Sequence, residues 1–150
     1  MGRARVQIVA AGRLTQAEAL WYDTARWSMF VDGFGHLAGV EPGWPRDGAV
    51  VWDSRPGGRG RVLERVVRYT AGDGQDVEVE DERLTGTQSV RFAAVGEDRV
   101  NVSLDLRYKL KRTFPGSAVV DWIFIRRAIR DSLGRTLRRF AIELAAEREL

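Results

Sequence analysis

The chain has 150 residues, no cysteine and one histidine, His36. This excludes a disulfide scaffold, a thiolate metal site, a cysteine nucleophile and any multi-histidine metal site or His–His acid/base pair. The hydrophobic share of 44%, the charged share of 30% and a net charge of +3 fit one ordinary globular domain over residues 1–150, large enough to bury a core without staples.

The first six residues, Met1-Gly2-Arg3-Ala4-Arg5-Val6, carry neither an apolar core nor a cleavage site, so no secretory signal is expected. Residues 3–11 read as a first strand. Leu14-Thr15-Gln16-Ala17-Glu18 then starts a helix: Thr15 and Glu18 have the spacing of a capping box, in which each side chain accepts from the other residue's amide. The helix is predicted to reach about Ala25 and to bury Ala17, Leu20, Trp21 and Thr24. A second short helix is expected at Trp27–Val31, followed by Gly33, Gly35 and Gly39.

From there the period changes from helical to alternating. Strands are expected at 36–41, 49–53, 61–70, 75–83, 86–95 and 99–111. Turn chemistry separates them: Pro45-Arg46-Asp47-Gly48, Pro56-Gly57-Gly58-Arg59-Gly60 and Gly72-Asp73-Gly74. In the last strand Val100, Val102, Leu104, Leu106, Tyr108 and Leu110 alternate with polar residues, the mark of one buried and one wet face in an antiparallel sheet.

Phe114-Pro115-Gly116-Ser117 stops the sheet, and Ser117 is placed to cap a long helix reaching about Glu147. Ala118, Trp122, Ile125, Ile129, Leu133, Leu137, Phe140 and Leu144 recur at spacings of three or four and form one apolar stripe. No apolar run of 18 residues exists, so no transmembrane helix is expected and the cytoplasm is the default compartment.

The basic balance looks at first like a nucleic-acid signal. Of the 24 basic residues all but Lys109 and Lys111 are Arg, and they are interspersed with acids, which reads as a compositional habit. The one concentration is Arg126, Arg127, Arg130, Arg135, Arg138 and Arg139, with Asp131 as the sole acid from 126 to 139. A solvated helix face is the favoured reading, ahead of an interaction surface for an acidic partner or nucleic acid.

The predicted architecture is α+β: a curved antiparallel sheet of about seven strands around a long C-terminal helix, with two short helices after the first strand. This order resembles the helix-grip fold of the START-like superfamily, also called Bet v 1-like or SRPBCC. Within it the chain is most similar to the polyketide cyclase/dehydrase and lipid-transport group. The residues carrying the resemblance are Leu20-Trp21-Tyr22-Asp23, Arg26-Trp27, Val51-Trp52-Asp53-Ser54, Gly60-Arg61-Val62, Val79-Glu80-Asp81, Leu84-Thr85-Gly86-Thr87-Gln88, Val90-Arg91-Phe92, Leu106-Arg107-Tyr108 and the terminal helix. The resemblance implies a hydrophobic small molecule held between sheet and helix. It brings no catalytic signature, and no cofactor or metal is expected.

Strand registers estimated from the turns select candidate ligand contacts. A hairpin centred on Leu84-Thr85 pairs Val77 with Phe92 and Val79 with Val90. A turn at Glu97 sets Phe92 opposite Val102 and Gln88 opposite Leu106. A turn at Asp73 sets Val77 opposite Tyr69 and Asp81 opposite Arg65. The inner face would then carry Arg65, Asp81 and Gln88 as a polar patch, with Tyr69 and Tyr108 as amphipathic rings and Trp122 opposite on the helix. A one-residue slip turns such residues outward, and Val66-Val67 is a place where a bulge could cause one. The competing reading puts the charged pair at the sheet's rim, facing water, because burying unpaired ions costs several kcal/mol each.

His36 has no recognisable nucleophile partner and reads as a strand-end residue. Gly33-Phe34-Gly35-His36-Leu37-Ala38-Gly39 follows a helix and lacks the spacing of a dinucleotide loop. The expected function is binding of a hydrophobic ligand such as a lipid, polyketide-like or isoprenoid compound. The alternatives are a polyketide cyclase, aromatase or dehydratase type of enzyme using Arg65, Asp81 or Tyr108, and an interaction module using the Arg-rich helix.

Overall fold

A computed structural model describes the backbone of residues 1–111 and 118–148 and the side chains of residues 1–111 and 123–147. Its elements run β1 (Gly2–Ala11), α1 (Leu14–Tyr22), a 3-10 turn (Thr24–Arg26), α2 (Trp27–Phe30), β2 (Phe34–Val40), β3 (Ala49–Ser54), β4 (Arg61–Thr70), β5 (Gly74–Glu80), β6 (Leu84–Ala94), β7 (Arg99–Leu110) and α3 (Ala118–Arg148). The seven strands form one antiparallel sheet in the order β1-β7-β6-β5-β4-β3-β2. Only β1 leaves its sequence neighbour, pairing with β7 and bringing the chain start beside the strand that precedes α3.

The alternation seen in the sequence is the reason the sheet has two unlike faces. Val100, Val102, Leu104, Leu106 and Tyr108 are buried, while the outer face carries ion pairs such as Arg3–Asp105, Arg61–Asp53 and Arg91–Asp76. The helix stripe divides into two halves. Leu133, Leu137, Phe140 and Leu144 are buried in the core, and Phe140 meets the rings of Trp21 and Phe30 at 5.5 and 5.3 Å. Ile129 and Ile125, one and two turns before Leu133, are only half-buried because they border a cavity. Ser117 as a cap, and the side chains of Ala118 and Trp122, lie outside the described residues.

Three local expectations shift. The first helix begins at Leu14, so Thr15 is already inside it. Gln16 takes the capping role by accepting from the Arg13 amide at 3.0 Å, and Glu18 instead accepts from the Gly72 amide at 2.6 Å. The helix also ends at Tyr22, because the Asp23 side chain accepts from the Ala25 amide and starts the 3-10 turn.

The β5–β6 hairpin is the second shift. Asp81 accepts from the amides of Arg83 and Leu84 at 2.7 and 2.9 Å, an Asx-type turn that starts β6 at Leu84. Val77 therefore pairs with Gln88 rather than Phe92, and Val79 with Gly86 rather than Val90. The displacement is even, so every one of these side chains keeps its face. The β6–β7 register is the expected one, with Phe92 opposite Val102 and Gln88 opposite Leu106.

The third shift changes what the site contains. Along β4, Arg65 pairs with Glu78 and Val66 with Val77, and a bulge follows before Arg68 pairs with Asp76. Arg65 therefore points outward, with 54% of its side chain exposed and Glu41 as an ion-pair partner at 3.9 Å. Glu64 takes the inward position between Val62 and Val66, and the bulge returns Tyr69 to the inner face. A bulge adds one residue to one strand and reverses the alternation beyond it.

Candidate functional site

Between the inner face of the sheet and α3 lies a cavity of about 740 Å³. Leu84, Gln88, Leu106 and Leu110 form its sheet wall, and Ile125, Ala128, Ile129, Ser132 and Leu133 its helix wall. Arg59, Asp81, Glu82 and Arg83 stand at one end. A second space of about 50 Å³ borders on it, sharing Arg59, Gln88, Ser132 and Leu133, and is walled largely by Trp21, Trp27, Trp44 and Trp52. The larger space has the size of a small-molecule pocket. The smaller one holds no more than a small functional group.

The polar groups of the inner chamber are arranged in two sets. On the sheet side, Trp52 on β3 donates its indole N–H to Glu64 Oε2 at 2.7 Å. Arg59 donates from Nε to Asp81 Oδ2 at 2.7 Å, and its guanidinium lies 5.4 Å from the centre of the Trp52 ring. Asp81 has a fully buried side chain, so this ion pair and the two turn amides are its solvation. Arg59 is held in place by the turn behind it. Gly60 has φ +76°, and its amide donates to Ser54 Oγ at 2.9 Å. A side chain is strained at that φ, and a Cβ there would meet the Glu82 carboxyl carbon at 2.3 Å.

Glu64 is half-buried and borders the chamber. Burial pushes its carboxyl pKa up; the Trp52 hydrogen bond and the Arg59 charge offset only part of that.

On the helix side, Asp32 joins the end of α2 to α3. Its amide donates to Thr136 Oγ at 3.0 Å, and its carboxylate accepts from Ser132 Oγ at 2.7 Å and from Arg135 at 3.0 and 3.1 Å. Arg139 adds a contact at 3.2 Å. Burial alone would raise the Asp32 pKa, but the bonds from Arg135 and Ser132 and the two guanidinium charges outweigh it and hold it below the ordinary value. Arg135 and Arg139 of the basic helix are thus occupied within the fold.

The structure brings together some of the residues selected from sequence. Gln88 borders both spaces and Asp81 borders the larger one. Tyr69 and Tyr108 are on the inner face but away from both spaces: Tyr69 packs on Tyr22 at 5.6 Å, and Tyr108 is buried against Gly2. The hydroxyl of Tyr108 has no hydrogen-bond partner among the described residues, and burial raises its pKa. Arg65 faces the outer side, and the Trp122 side chain is outside the described residues. His36 sits on the edge strand β2, 3.0 Å from Asp53 and away from the cavity. Among the described residues no cluster of three metal-ligating side chains exists, and no helix is long and apolar enough to cross a membrane.

Arg59 and Glu64 were missed in the sequence reading. The signal for Glu64 was present: Val62, Glu64 and Val66 alternate on one face, ahead of the bulge. Arg59 lies in a Gly-rich turn where no periodicity operates.

A seven-stranded antiparallel sheet curled round a C-terminal helix, with a cavity between them, defines a helix-grip protein. No protein-family model and no curated protein matches the chain. Solved structures do. A Thermus thermophilus protein, TTHA0849, superposes with a TM-score of 0.81 at 15% identity, covering 97% of this chain and 99% of that one. A START superfamily protein from Mycobacterium smegmatis superposes at 0.66 with 16% identity, covering 99% of both chains. Norcoclaurine synthase from Thalictrum flavum, in complex with dopamine and hydroxybenzaldehyde, superposes at 0.70 with 11% identity over 97% of this chain and 87% of that one. The chain has the START-like, or Bet v 1-like, helix-grip fold.

Proposed function

We propose that the protein binds a hydrophobic small molecule in the space between sheet and α3. The observation that carries this reading is the cavity of about 740 Å³, with two mainly apolar walls that carry Gln88 and Ser132 as their polar residues, and with Arg59, Asp81, Glu82 and Arg83 at one end. Such a space buries the apolar surface of a ligand, worth about 25 cal/mol per Å² removed from water, and leaves a few polar groups to orient it. A lipid, an isoprenoid or a polyketide-like compound satisfies that description. A protein of this fold, norcoclaurine synthase, is known in complex with dopamine and hydroxybenzaldehyde, which supports the use of the fold as a ligand container. The ligand contacts we assign are Gln88 and Asp81, the latter through Arg59, together with the helix residues Ile125 and Ile129.

A second reading, an enzyme of the polyketide cyclase or dehydratase type, is supported by one observation: Glu64 and Arg59 present a carboxyl group and a cation to the same small chamber. Native mass spectrometry of protein purified from its own host tests the binding reading. An apolar ligand retained at one per chain is the expected result, and its displacement by a fluorescent apolar probe follows. Protein that carries nothing and takes up no apolar probe overturns it.

A further inference from the structure

Resting on the binding reading above, we propose that Glu64 anchors the ligand by donating a hydrogen bond, and that the ligand is an apolar molecule ending in a neutral carbonyl oxygen. The polar groups of the inner chamber differ in the hydrogen-bonding capacity they have left. Gln75 donates its amide to the Pro45 carbonyl at 2.9 Å, and Ser132 has given its hydroxyl hydrogen to Asp32. Arg59 has committed Nε to Asp81. Among the described residues the one hydrogen bond of the Glu64 side chain is the indole N–H of Trp52 on Oε2, so its other oxygen is unspent. Gln88, across the chamber on β6, has no side-chain hydrogen bond among the described residues, and the terminal nitrogens of Arg59 are likewise unspent.

Those three groups select an acceptor. A carboxyl that keeps its proton has an O–H to give, the Gln88 amide has two N–H donors beside its carbonyl oxygen, and the Arg59 guanidinium has only donors, so donors outnumber acceptors in the chamber. The burial of Glu64 favours the protonated form. A cationic end group would share the chamber with the Arg59 charge. A carboxylate would find that charge already matched by Asp81 and would repel Glu64 as soon as it ionised. The chamber of about 50 Å³ admits a carbonyl-sized end and no ring, while the adjoining 740 Å³ takes the apolar body. The other titratable groups bordering the chamber, among the described residues, are Arg59, paired with Asp81, and Asp32, paired with Arg135 and Arg139.

The test is calorimetric titration of the intact protein with two probes of equal shape, 2-acetylnaphthalene and 2-isopropenylnaphthalene. At pH 4.5, the ordinary value above which the Glu64 pKa is raised, the ketone is expected to bind roughly ten-fold more tightly, the worth of about one hydrogen bond. The advantage should shrink as pH rises and Glu64 loses its proton. Glu64→Gln retains an N–H donor and should keep a ketone preference without the pH dependence, whereas Glu64→Leu should abolish the preference. Equal wild-type affinities for the two probes, or a preference that survives in Glu64→Leu, would overturn the assignment. The wild-type comparison stands even if a variant does not fold. Binding of both probes without a ketone advantage removes only the Glu64 anchor; binding of neither removes the cavity reading and the anchor with it.

Discussion

Trp52 on β3 and Glu64 on β4 are joined by a 2.7 Å hydrogen bond from indole N–H to carboxyl oxygen, in the wall of the small inner chamber. The two strands are adjacent and antiparallel, and Glu64 is two residues beyond Val62, the residue directly opposite Trp52. The bond therefore spans a diagonal pair on the inner face, where long side chains reach each other. It fixes the carboxyl orientation and leaves one oxygen toward the chamber.

Glu64 makes stability depend on pH in a definite direction. Its folded pKa lies above the ordinary value of 4.5, so the folded form holds this proton after the unfolded form has released it. Its contribution is therefore complete below pH 4.5 and falls as pH rises through the folded pKa, by at most about 1.4 kcal/mol per pH unit. Urea denaturation from pH 4 to 8 should show wild type losing stability relative to Glu64→Gln across that window. Parallel curves would show that Glu64 is not perturbed.

Asp32 works in the opposite sense. Its folded pKa is depressed, so its contribution is present above the ordinary value of 3.8 and disappears as pH falls through the folded pKa. Asp32→Ala removes the acceptor for Ser132, Arg135 and Arg139, and should cost about 1–2 kcal/mol at pH 7, discounted because both arginines are partly exposed. Chemical denaturation at pH 7 and at successively lower pH below 3.8 checks both the size and its decline in acid.

The Asp81–Arg59 pair should show an asymmetry. Asp81→Ala removes the ion pair and both turn amide bonds, and is expected to cost about 2–4 kcal/mol. Arg59→Ala leaves Asp81 two amide donors and should cost about 1–3 kcal/mol. Equal losses in thermal or urea unfolding would mean that the turn amides contribute nothing separable.

Ala128 borders the larger space from the helix, so Ala128→Trp places an indole in the ligand volume. Binding of an apolar fluorescent probe should weaken at least roughly ten-fold, while the unfolding midpoint changes little because no packed side chain is displaced. Unchanged probe affinity would place the binding site elsewhere.

Phe140→Ala tests the packed half of α3. The ring is fully buried against Trp21 and Phe30, and its removal should cost about 3–5 kcal/mol by equilibrium unfolding. A loss well below that would mean the helix closes over the gap.

The order of strands and helices was fixed by local pattern. Alternation from Val100 to Leu110 requires a sheet with one buried face, and the stripe from Ile125 to Leu144 requires a helix to cover it. Face assignments in β5, β6 and β7 were legible for the same reason, and a turn misplaced by an even step left them intact. Two things depended on the third dimension. The bulge after Val66 set the register of β4, and with it the exchange of Arg65 for Glu64 on the inner face, while the Asx turn at Asp81 set the pairing of β5 with β6. The chamber itself, where a turn arginine, a strand carboxyl and four tryptophans from separate segments converge, exists only when distant parts of the chain pack. A periodic signal records which side of its own element a residue occupies, whereas a site is made by which elements face one another.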